Sequence, residues 1–117
     1  MSLIVSRFSA IIHRFNDNLL VIPNRQQVLR TDIQFIDNTR LVAFKYTYFD
    51  TGRTKYSYQW MNPDNSLIIR WDNANHHPEI PTHPDHKHVG SDTNFQSSEP
   101  MTLEKVLTFT AIQLTSN

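Results

Sequence analysis

The run Leu41-Val42-Ala43-Phe44-Lys45-Tyr46-Thr47-Tyr48-Phe49-Asp50-Thr51-Gly52-Arg53-Thr54-Lys55-Tyr56-Ser57-Tyr58-Gln59-Trp60 holds two alternating segments around one turn. Successive side chains of a strand point to opposite faces, so strict alternation marks a strand. Val42, Phe44, Tyr46 and Tyr48 then share one face, with Ala43, Lys45 and Thr47 on the other. Tyr56, Tyr58 and Trp60 alternate with Lys55, Ser57 and Gln59. Asp50-Thr51-Gly52 joins the two as a hairpin, because glycine accepts positive φ.

Outward from this hairpin the pattern continues. Upstream, Ile33 and Phe35 alternate in a short strand around 29–36, closed by a turn at Asp37-Asn38. Downstream, Asn62-Pro63-Asp64-Asn65 turns the chain into a strand where Leu67, Ile69 and Trp71 alternate with Ile68 and Arg70. Short sequential hairpins predict an antiparallel meander of four strands. Residues 4–16 read as an amphipathic helix on Ile4, Phe8, Ile11, Ile12 and Phe15, and His13 lies off that face. Asn16-Asp17-Asn18 is its expected stop, Pro23-Asn24 a turn, and residues 19–30 remain ambiguous between helix and strand. Leu103, Val106, Leu107 and Leu114 predict a C-terminal helix, with Thr102 as N-cap and Glu104 in the first turn. The expected class is α+β in one domain, residues 1–117. By loose architectural analogy this resembles the RelE-like and barnase-like ribonucleases.

The composition bounds function. The chain has no cysteine, which excludes disulfides, thiolate nucleophiles and cysteine–zinc sites and is compatible with the cytoplasm. No secretory leader is expected, because Arg7 and Arg14 interrupt the short N-terminal apolar stretch. No run approaches the roughly 18 apolar residues of a membrane span. The net charge is zero, with +4 over residues 1–71 and −4 over residues 72–117. A neutral total argues against strong non-specific nucleic-acid binding but leaves a local basic surface open. With only Gly52 and Gly90, no glycine-rich phosphate loop can be built.

The chemistry concentrates in one segment. Residues 73–100 are polar, broken by proline and aperiodic, and they hold His76, His77, His83, His86 and His88. Three readings of this segment stay open. His83, His86 and His88, with His76 or His77 and an oxygen from Asp85 or Glu79, could ligate a metal. Alternatively, His86 and His88 act as acid and base in metal-independent phosphodiester cleavage. If H86-K87-H88 is extended, the two imidazoles share a face and Lys87 takes the other. Arg70 and Lys87 would contact phosphate, Glu79 and Asp72 would orient imidazoles beside Trp71, and His76 or His77 would complete the pocket. RNA supplies its own 2′-hydroxyl nucleophile, so no cofactor is called for. The third reading is a non-catalytic docking loop on a binding or antitoxin-type module. The Tyr56/Tyr58/Trp60 stripe could stack bases, but its match to the Val42/Phe44/Tyr46/Tyr48 stripe predicts core.

The blocks Y56-S57-Y58-Q59-W60, L67-I68-I69-R70-W71-D72-N73-A74, H76-H77-P78-E79-I80 and H86-K87-H88-V89-G90 resemble the TumE-like family of small prokaryotic proteins, over roughly residues 27–110. Where that family commonly has an aromatic residue and a histidine, this chain has His83 and Asp85. The resemblance implies a cytoplasmic toxin of a toxin–antitoxin module, neutralised by a cognate antitoxin encoded nearby. Joined to the acid–base reading, it predicts an endoribonuclease with RNA as substrate. A meander edge also leaves pairing into a homodimer open.

Overall fold

The computed structural model describes residues 3–116. The order is α1 (Leu3–Arg7), β1 (Ile12–Ile22), β2 (Gln26–Phe35), β3 (Arg40–Tyr48), β4 (Thr54–Met61), β5 (Leu67–Asp72), β6 (His86–Val89), β7 (Phe95–Ser97) and α2 (Leu103–Thr115). The strands form one antiparallel sheet in chain order, β1 through β7. The α+β class and the meander stand, but the sheet has seven strands rather than four. No described helix is long and apolar enough to cross a membrane.

The three extra strands replace expected helix and loop: β1 falls in the expected helix, β6 and β7 in the expected loop. The helix over 4–16 stops at Arg7, and from Ile12 the chain is β1, paired with β2 over its whole length. A helical stripe exists in Ile4–Phe15, but Asn16, Asp17 and Asn18 are weak helix formers, and β-branched Ile12, Val21 and Ile22 favour a strand. Pairing with β2 also satisfies the backbone groups of the whole hairpin, which a helix ending at Asn16 would not do. His13 falls at a register shift in β1 and is exposed. Pro23-Asn24 makes the turn: the Arg25 amide bonds the Ile22 carbonyl at 3.1 Å, and Asn24 sits at φ 64°. Proline followed by a left-handed asparagine suits a type II turn. Asn38, Gly52 and Asn65 take the same left-handed region at the next three hairpins.

One sheet face is covered. Ile33, Phe35, Leu41, Ala43, Tyr56, Tyr58, Trp60 and Trp71 pack with Val5, Ile11, Val106 and Leu107 in a single core. Phe109 of α2 meets Trp60 and Trp71 edge-on, with centroids 6.3 and 5.5 Å away. α2 begins where expected, with Thr102 Oγ1 accepting the Lys105 amide at 3.2 Å.

The register alters the basis on which the aromatic stripe was assigned to the core. Tyr56, Tyr58 and Trp60 are core, but their partners are Lys45, Ala43 and Leu41. Val42, Phe44 and Tyr46 therefore lie on the opposite, open face, half-buried, with Phe44 and Tyr46 stacked at 6.0 Å. Both stripes alternate, and only the register separates them.

Candidate functional site

The histidine site stands on that open face. β5 and β6 pair Asp72 with His86 and Arg70 with His88. Directly paired residues of an antiparallel ladder project to the same side, so these four side chains form one group. The alternation in H86-K87-H88 gives the two imidazoles a common face, and both are buried. Lys87 pairs with Trp71, whose side chain is in the core. The structure thus places Lys87 and Trp71 on the other side of the sheet from the imidazoles.

Each imidazole is locked by its own backbone. His86 Nδ1 lies 2.8 Å from the Pro84 carbonyl oxygen, and His88 Nδ1 lies 2.9 Å from that of Asp92. A carbonyl only accepts, so both Nδ1 atoms carry hydrogen and donate. The neutral rings then turn bare Nε2 atoms toward one another, 3.1 Å apart. Asp72 closes the group, with Oδ1 3.0 Å from His86 Nε2 and Oδ2 3.4 Å from His88 Nε2. The Asp72 oxygens also take donors from Arg70 and the Ala74 amide, so the facing Nε2 atoms are the pair with no fixed donor between them. Burial, the largest influence, holds the His88 pKa below the ordinary imidazole value; Arg70 and His86 add to it, against the Asp92 carbonyl and Asp72.

Arg70 borders the cluster. Its Nε lies 3.3 Å from Asp72 Oδ2, and a terminal nitrogen lies 2.7 Å from Asp92. His77 reaches in from the β5–β6 connection, stacked on Phe95 of β7 with centroids 3.7 Å apart. Its ring centre is 5.4 Å from that of His86 and 6.0 Å from that of His88. Glu79 stands 3.6 Å from His77 Nδ1 and is largely exposed. His76 is exposed beside His77 and lines a cleft of about 250 Å³ with Tyr46, Lys55, Arg70, His86 and His88.

His83 and Asp85, both weighed as metal ligands, are not in the group. Asp85 accepts a 2.6 Å hydrogen bond from the Tyr56 hydroxyl, which itself accepts the Met101 amide at 3.3 Å. Asp85 is thus an anchor for the chain entering β6 and α2. Three participants went unnoticed in the sequence: Phe95, Asp92 and Lys55. Phe95 is a lone aromatic in a polar stretch, which was its one visible signal. Asp92 acts largely through its backbone carbonyl, which leaves none.

An antiparallel meander with helices on one face and a histidine–carboxylate–arginine cluster on the other defines a small α+β protein with a built polar site. The chain belongs to the toxin TumE family, whose model matches residues 3–114. No curated protein and no solved structure shows a significant match.

Proposed function

We propose that this toxin is a metal-independent endoribonuclease in which His88 is the base and His86 the acid. The observation that supports this reading is the pair of facing Nε2 atoms, 3.1 Å apart above one carboxylate. With both Nδ1–H groups committed to carbonyls, one proton between the Nε2 atoms satisfies the contact. His86 Nε2 stands nearer the carboxylate than His88 Nε2 does, 3.0 Å against 3.4 Å, so that proton is assigned to His86, beside Asp72 Oδ1. The cluster then holds a neutral base and a charged acid together, as proton transfer in both directions requires.

A phosphodiester entering the cleft displaces the direct contact between the rings. The 2′-oxygen bonds to phosphorus as its proton passes to His88 Nε2. The bond from phosphorus to the 5′-oxygen breaks as that oxygen takes the proton of His86. The products are a 2′,3′-cyclic phosphate and a 5′-hydroxyl. Arg70 and Lys55 stand where they neutralise the developing charge on the phosphoryl oxygens. Asp72 holds both rings, and His77, steadied by Phe95 and Glu79, closes the pocket; His76 lines its entrance. On this reading the protein works in the cytoplasm and is held inactive by a cognate antitoxin encoded nearby. The family's description as a toxin supports such a partner.

RNA incubated with purified protein in excess chelator tests the chemistry. Wild type should cleave and leave cyclic phosphate ends, and His86→Ala/His88→Ala should lose at least about a hundredfold in rate. Equal cleavage by both proteins, or intact RNA with wild type, would discard the proposed pair.

A further inference from the structure

We infer that His77, His86 and His88, with Asp72 against the last two, form a binding site for one divalent transition-metal ion of the zinc class. Metal-ligating histidines characteristically donate the second ring nitrogen to a carbonyl or carboxylate, which fixes the tautomer and aims the free lone pair. His86 and His88 do this through Pro84 and Asp92. Their Nε2 atoms stand 3.1 Å apart, and 3.0 and 3.4 Å from the oxygens of Asp72. Donors bound at zinc distances in a tetrahedron are separated by about 3.3 Å. The spacing is that of atoms sharing one small cation. His77 adds a third imidazole, and one donor atom from each of His77, His86 and His88 lies within 4.8 Å of the others.

The donor set selects the ion. Three imidazoles, with a carboxylate beside two of them, suit zinc, cobalt or nickel, whereas magnesium and calcium prefer oxygen. Arg70 is the positive charge in contact with Asp72, and Asp92 offsets it at 2.7 Å. The Phe95 ring, stacked on His77, limits that ring's movement. Binding needs nothing from the ribonuclease reading, but its effect on activity rests on it. An ion on both Nε2 atoms occupies the lone pairs that cleavage would use, so the metal-loaded protein is the inactive form.

Metal binding is read without RNA, on tag-free protein. Cobalt(II) titration should give the visible absorption of a low-symmetry nitrogen–oxygen site, saturating at one equivalent. Zinc(II) at a hundredfold excess over Kd should raise Tm by on the order of 10 °C. His86→Gln and His88→Gln should each weaken binding at least about a hundredfold, His77→Ala about tenfold, and exposed His13→Ala not at all. Melting each variant in chelator shows whether it folds. Absence of both the absorption and the Tm shift in wild type overturns the site, as does undiminished binding by folded His86→Gln/His88→Gln. Binding without RNA cleavage in chelator keeps the site and removes the ribonuclease reading; cleavage without binding does the reverse. Cleavage that requires the ion keeps the site but overturns both its inhibitory effect and the acid–base assignment.

Discussion

Asp72 shows how closely single residues are shared. Its Oδ1 faces His86 and also accepts the Ala74 amide at 3.0 Å, while its Oδ2 faces His88 and Arg70. The carboxylate thus joins the end of β5, the start of the following loop and the imidazoles of β6. Tyr56 has a comparable role on the covered side, through its bonds to Asp85 and Met101. Burial raises the ionisation of Tyr56 well above the usual phenol range and pushes that of Tyr58 up to about 12. The folded form keeps protons that the unfolded chain releases near pH 10. Stability from these two groups is therefore complete below about pH 10 and falls as pH rises from there toward 12. Urea midpoints across that interval should drop in the wild type and drop less in Tyr56→Phe/Tyr58→Phe; parallel curves would refute the assignment. Legibility at this scale follows the same division. That His86 and His88 share a face follows from one intervening residue. That Asp72 and Arg70 stand opposite them depends on the register of β5 against β6, which is set after a 13-residue connection (73–85) carrying little periodic signal.

Among the elements, α2 and β1 contrast. α2 is cut to its place by Thr102 and by an apolar stripe that nothing else in the chain competes for. Leu107 is fully buried at its centre. Leu107→Ala should cost about 3 kcal/mol, the range for an aliphatic side chain deleted from a core. Because Phe109 on the same helix touches both tryptophans, the tryptophan emission should shift to the red at lower denaturant in that variant. A change under about 1 kcal/mol would mean that α2 does not anchor the core. β1 was harder to read, because Ile4, Phe8, Ile11 and Phe15 satisfy a helical period, while β1 itself alternates neither in sequence nor in burial. Local preferences lean toward a strand there, and pairing with β2 decides it. β6 and β7, of four and three residues, are too short to show a period at all.

For the molecule as a whole, every strand pairs with its neighbour in sequence, and the covered and open faces have separate tasks. The open face carries the cluster from Arg70 to Phe95, and the covered face is closed by α2, which follows all seven strands in the chain. Removing α2 by ending the chain after Ser97 should leave every site residue present yet yield an aggregating, inactive product, because Trp60, Trp71 and Leu41 would then face water. A soluble fragment with native-like circular dichroism would contradict this. The same order has a consequence in time. During synthesis the hairpins can pair as they emerge, since each needs only the strand before it. The cluster waits for Phe95, and the apolar face waits for α2. A ribosome must therefore pass the last helix before the site and its support are both in place, and until then the finished cluster sits on a sheet whose apolar side is still bare.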